Sequence, residues 1–408
     1  MLHKRFVCGL IALLLAVSLS SFVASAQNKD KTEKKKEEAA NAQGTPVLWQ
    51  EPTDIASRDL FLGPGGDAMK PDLSHVTFDR DEPGGYSVKF RVRDGSGRVW
   101  VAKLGNEAQP ETAAVRLVWA VGYMTEINYL APCVHIEGAP KPRKDVERCN
   151  NGADFANVRF EARPKAVKRL DIWSWKNNPF VGTKEMQGLI VIMAMMNNWD
   201  LKDENNKILL VPVNNSELEP VSNAKLPTPN DTLSDKPTGT PDDQNKSDDQ
   251  SKADNNNSDN NSSGNNKAGN DKPDSSKPVG APTNYEQQYI ISDLGATFGK
   301  TGNAITHNRN RPETFIKTKF VKKVEGGRVQ FDYHGKSGSL FDNITVEQAK
   351  WIGDLLSRLS DQQIADAFRA ANYSPEEIQA LTQALRARIN ELVNLPGAGA
   401  QQSATANK

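Results

Sequence analysis

The chain has 408 residues, with 51 Lys and Arg against 51 Asp and Glu, and 37% of it is hydrophobic. Balanced charge supplies no net positive field for a polyanion, so no nucleic-acid partner is expected. The length accommodates one large domain or two modest ones once non-globular segments are removed.

Residues 1–26 read as a secretory signal. Lys4 and Arg5 precede an apolar run from Phe6, and Ala24-Ser25-Ala26 offers a small-residue cleavage site. Cleavage is expected after Ala26, making the mature chain secreted or periplasmic, with no transmembrane helix left. Residues 27–46, rich in Lys, Glu, Ala and Asn, read as a disordered spacer. Signal removal leaves Cys133 and Cys149, and an oxidising compartment favours a bridge between them. In the chain-entropy description, closing a loop of that size contributes about 3 kcal/mol.

Residues 74–161 are strand-rich. In "YSVKFRV", Tyr86, Val88, Phe90 and Val92 alternate with polar neighbours, the period of a half-buried strand. Asp94-Gly95-Ser96-Gly97 is turn chemistry, and "RVWVAKL" returns as a second strand. Pro110 and Glu111 suit the opening of a helix, whose apolar residues Ala114, Val115, Val118, Trp119 and Val121 recur at helical spacing. "EINYLAPCVHIEG" and "FANVRFEARP" read as two more strands around the cysteine loop.

Thr183 suits the N-cap of a helix through "KEMQGLIVIMAMMNN", apolar nearly all round from Leu189 to Met196. That pattern predicts a buried core helix, too short to span a bilayer. Residues 214–284, dominated by Asn, Asp, Ser, Lys and Pro, read as a disordered insertion. Its flanks, "NKILLVPV" and "QQYIISDLG", look like two halves of one hairpin. Loop-closure entropy grows slowly with length, so a surface turn tolerates such an insertion. Thr345 and Ser374-Pro375-Glu376-Glu377 are helix-start signals, and residues 396–408 read as a frayed tail. Lys317–Lys323 reads as a solvated basic strand.

Four features fall in a chemically meaningful order. Lys103 lies on a strand after a hairpin turn, and Glu111 opens the next helix. Asp200 and Asn205 lie in "DLKDEN", and Asp293 and Gly295 follow an apolar strand. Phosphoryl transfer needs such parts: a cation for the phosphates, an anion to hold that cation, a carboxylate for the attacking hydroxyl, and oxygen ligands for Mg2+.

The set resembles the protein-kinase-like superfamily. "WDLKDEN" is similar to the catalytic loop H-R-D-L-x-x-x-N, and Asp293-Leu294-Gly295 to D-F-G. The resemblance implies Asp200 as catalytic base, Lys202 as a phosphate contact, and Asn205 and Asp293 as metal ligands. It implies Lys103 and Glu111 as the nucleotide-fixing pair, with Gly84 and Gly85 in the turn over the nucleotide. It further implies ATP with Mg2+ (or Mn2+) as cofactors and a hydroxyl-bearing protein, lipid or small molecule as acceptor. The implied fold is α+β and two-lobed, with a strand-rich lobe at 47–165 and a helical lobe at 166–213 and 285–395. Asn198, Trp199 and Leu294 depart from the usual motifs, which points to an atypical, secreted branch. The rival reading is a secreted pseudokinase, a nucleotide-binding or protein-interaction module without catalysis.

Overall fold

The structure is a computed structural model that describes residues 44–213, 285–303 and 305–396. The expected signal, most of the spacer, the insertion and nearly all of the tail lie outside the described residues.

The first half builds a sheet. Its strands are β2 (Thr77–Asp81), β3 (Val88–Arg93), β4 (Val99–Leu104), β5 (Asn128–Val134), β6 (Arg148–Cys149) and β7 (Asp154–Ala162), with α1 (Ala108–Ala120) between β4 and β5. The order is β2-β3-β4-β7-β5, all neighbours antiparallel, with β6 also pairing β7. Alternation decides the faces. Val88, Phe90, Val92, Trp100, Ala102, Leu104, Val158 and Phe160 share one apolar cluster, which leaves the interleaved Lys103, Arg159 and Glu161 for the other face. Tyr86 falls outside the strand and is 60% exposed, so the alternation begins at Val88. Cys133 and Cys149 form a disulfide, with Cα atoms 6.0 Å apart.

A second sheet combines β1 (Thr45–Val47), β8 (Lys168–Arg169), β9 (Asn206–Pro212) and β10 (Tyr285–Ile291) in the order β1-β10-β9-β8. Strands β9 and β10 pair antiparallel from Tyr285↔Pro212 to Ile291↔Asn206. The segment 214–284 therefore joins the open end of a paired hairpin. Strand β1 runs parallel to β10 and begins at Thr45, inside the expected spacer, because that edge of β10 is free to pair with it.

The helices are α2 (Lys184–Met195), α3 (Pro312–Phe315), α4 (Val346–Ser357), α5 (Asp361–Arg369) and α6 (Pro375–Val393), with the hairpin β11 (Val321–Glu325) and β12 (Arg328–Phe331). Thr183 accepts from the Met186 amide, and Thr345, Ser360 and Ser374 each complete a capping box. Each such cap is worth about 1 kcal/mol. No described helix is long and apolar enough to cross a membrane.

The larger core does not stop at residue 165. Leu48, Ile55, Leu60 and the α1 residues Ala113, Ala114, Leu117 and Val118 join α2 and α4–α6 in one cluster. Helix α1 is apolar on too many sides to serve the sheet alone, so it packs against both.

Candidate active site

Lys103 leaves the polar face of β4 and meets three carboxylates. Its Nζ lies 2.7 Å from Glu111 Oε2, 3.1 Å from Glu107 Oε2 and 3.2 Å from Asp293 Oδ1. Glu111 projects from the first turns of α1 and is also held by Arg159 at 3.2 Å, from β7. Arg159 in turn pairs with Glu161 at 2.6 Å. Burial pushes the Glu111 carboxyl above its ordinary range, and Arg159 and Lys103 offset only part of that. Burial also pushes Asp293 up, but Lys103 and the Gly295 amide outweigh it and hold the group below its ordinary value.

Asp293 is delivered by β10. The Ser292 amide donates to the Asn205 carbonyl at 2.7 Å, which locks the end of β10 to the end of the polar loop. Asn205 Nδ2 donates to the Asp200 carbonyl at 2.7 Å. One contact path thus joins Lys103, Asp293, Asn205 and Asp200, residues spread over most of the sequence.

Helix α2 ends at Met195 and hands the chain to Asn197, in a left-handed conformation with φ 53°. The Asn197 side chain bonds Gly299 and Thr318, fixing the loop from below. Asp200 then meets two ammonium groups, Lys336 Nζ at 2.6 Å and Lys202 Nζ at 3.1 Å. Partial burial raises its carboxyl, yet the bonds from Lys336 and Lys202 prevail and keep it below its ordinary value.

Gly84 and Gly85 both have positive φ, 95° and 72°, in the β2–β3 turn, a conformation that favours glycine. A strap from the cystine loop holds this turn. Arg143 donates to the carbonyls of Gly85 and Ser87 at 3.1 and 2.9 Å, and Lys144 donates to that of Tyr86 at 2.8 Å. A Cβ on Gly295 would lie 2.7 Å from the Glu107 Cβ, so close packing of Glu107 requires glycine there.

These contacts link Lys103, Glu111, Asp293, Asn205, Asp200 and Lys202, while Gly84 and Gly85 lie in the turn that leads to Ser87. Glu107, Arg159, Arg309 and Lys336 are not among the residues singled out from the sequence. Glu107 lies in the link between β4 and α1, so no helical spacing ties it to Lys103 in the sequence. Arg309 and Lys336 carry no local signal of their place.

The chemistry of the donor set fits a divalent cation held with phosphate. Asp293 spends one oxygen on Lys103 and Gly295. Asn205 uses its amide nitrogen, and its side-chain oxygen accepts no hydrogen bond among the described residues. One carboxylate oxygen and one amide oxygen suit Mg2+, which takes the rest of its shell from phosphate and water.

No protein-family model matches this chain, and no curated protein sequence matches it. Among solved structures, a match is that of a Helicobacter pylori proinflammatory kinase, CtkA, with TM-score 0.38 and 9% identity over 83% of this chain and 99% of that one. At that overlap no residue of one chain speaks for a residue of the other.

Proposed function

We propose that the chain is an ATP-dependent phosphotransferase of the protein-kinase-like superfamily, secreted or periplasmic, acting on a hydroxyl acceptor. The observation that carries this reading is Lys103 Nζ held between Glu111 and Asp293 at 2.7 and 3.2 Å. An ordinary solvated strand lysine has no reason to be buried among carboxylates drawn from a following helix and a distant strand.

In this reading the sheet and the β2–β3 turn form the nucleotide lobe, and the helices and second sheet form the other. Lys103 binds α- and β-phosphate oxygens, and Glu111 keeps its ammonium in place. Asn205 and Asp293 would hold Mg2+ or Mn2+, which when bound neutralises charge on the β- and γ-phosphates. Asp200 orients the acceptor hydroxyl and takes its proton as the new O–P bond forms and the bond to the β-phosphate oxygen breaks. Lys202 balances charge on the transferring group. Lys336 and Lys202 hold the Asp200 carboxyl below its ordinary value against the effect of burial, which favours orientation over strong basicity. Most of the rate would come from positioning and charge neutralisation.

The test is phosphotransfer and self-phosphorylation with ATP and Mg2+ or Mn2+, comparing wild type with Asp293→Ala and Asp200→Asn. Wild type should transfer phosphate and both variants should fall by about a hundredfold or more. Equal activity in all three overturns the assignment. Nucleotide binding with no transfer in wild type points to the same fold used as a binding module.

A further inference from the structure

Glu107 has a dense ring of donors, although no motif assigns it a task. Lys103 lies 3.1 Å from its Oε2, and the Ser87 hydroxyl donates to the same oxygen. Arg309 pairs with Oε1. These donors come from three separate places: Ser87 from the glycine turn, Lys103 from β4, and Arg309 from the segment after Asp293-Leu294-Gly295. The carboxylate itself is almost fully buried.

Lys103 does not need Glu107. Glu111 supplies its closest anion, and Asp293 supplies another. Arg309 is also held by aromatic faces. Its guanidinium lies 4.9 Å from the Tyr86 ring centroid and 4.8 Å from that of Trp199, so it joins the glycine turn to the catalytic-loop segment. An ammonium, a hydroxyl and a guanidinium converging on one anion form a donor set that suits phosphate oxygens as well as carboxylate.

We propose that Ser87, Lys103 and Arg309 form a polyphosphate cradle, and that Glu107 competes with phosphate oxygens for it. The inference rests on the phosphotransferase reading for the identity of its ligand, a nucleoside triphosphate, and adds Ser87 and Arg309 as phosphate-binding residues. Gly105, at φ 96°, links β4 to α1 with nothing near its Cβ direction. A cavity of 340 Å³ beside that link is lined by Ser87, Gly105, Gln109 and Lys144, and also by the carboxylates Asp145 and Glu147. When phosphate takes the three donors, it replaces the Glu107 carboxylate as their shared anion.

The experiment titrates the full chain with inorganic tripolyphosphate, with ATP and with AMP, by calorimetry. Removing the competing charge in Glu107→Gln should tighten tripolyphosphate and ATP about tenfold and leave AMP nearly unchanged. Arg309→Met and Ser87→Ala should weaken the first two several-fold. Glu107→Gln keeps the side-chain volume, and its melting temperature checks that it folds; Glu107→Ala is the second variant. Unchanged or weaker tripolyphosphate binding in folded Glu107 variants overturns the competition, as does absence of tripolyphosphate binding in every form. Tripolyphosphate binding that Glu107→Gln tightens, without transfer from ATP, supports the cradle and overturns the enzyme reading. Transfer from ATP with no Glu107 effect on binding does the reverse.

Discussion

Two carboxylate–cation clusters meet at the site, and they differ in their access to water. Around Lys103, the side chains of Lys103, Glu111 and Arg159 are 4, 1 and 2% exposed, and only Asp293, at the cluster's edge, reaches 38%. Around Asp200, the partners Lys202 and Lys336 are 41 and 55% exposed. Buried charges depend on each other, because each would be left unsolvated if its partner were lost. Water-facing pairs are individually weak and exchange freely. The first cluster is thus built to hold a geometry, and the second can exchange its lysines with water.

The largest expected effect separates them by stability. Glu111→Ala strips an anion from both Lys103 and Arg159 and should cost about 3–5 kcal/mol in denaturant unfolding. Asp200→Asn should stay within about 1 kcal/mol of wild type in the same measurement. Comparable losses in the two variants would erase the distinction.

Activity should invert the ranking. Asp200→Asn is expected to lower transfer by about 10²–10⁴-fold while keeping nucleotide affinity, measured as rate against Kd. Lys336→Ala frees one Asp200 oxygen, and the expected change is confined to the turnover term.

Removing the disulfide with Cys133→Ser and Cys149→Ser probes the buried cluster from outside, because the cystine loop holds the turn that carries Ser87. Stability should fall by about 2–3 kcal/mol and ATP affinity several-fold. A variant that binds ATP as wild type does would uncouple the strap from the cluster.

The smallest effect is in pH. Glu111 is raised above its ordinary 4.5, so the folded chain binds that proton more tightly than the unfolded one. Lowering the pH from neutral to 4.5 should therefore stabilise wild type relative to Glu111→Gln. Asp200 and Asp293 are held below 3.8, so what they contribute is present above that value and lost as pH falls below it. Unfolding curves of Glu111→Gln and Asp200→Asn across pH 3–7 should show opposite slopes relative to wild type.

What could be read in the sequence was local. Thr183, Thr345 and Ser374 announce helix starts because their hydroxyls cap amides three residues away. The β9–β10 hairpin was legible across its insertion because both arms are strand-like and end in polar motif residues. Trp173 and Trp175 meet edge to face in the core, with ring centroids 5.0 Å apart. What escaped depends on tertiary placement. Lys336 reaches Asp200 across 136 residues, and nothing in "DYHGKSG" says so. Arg309 stands in a polar stretch that looks like surface until Tyr86 and Trp199 close on it. Arg159 lies on a strand where alternation alone suggests solvent, yet that face of the sheet meets α1.

The cystine strap gives the site a history as well as a shape. The Gly85, Tyr86 and Ser87 carbonyls are gripped by Arg143 and Lys144, inside a loop closed by Cys133 and Cys149. In a reducing compartment those thiols stay apart and the strap is only a long tether, costly in entropy to hold in place. The same chain, with identical lysines and carboxylates, would then carry its glycine turn loosely. Oxidation of that pair would tighten the turn once, without a ligand or a modifying partner, so the redox state of the surroundings would be written into its stiffness.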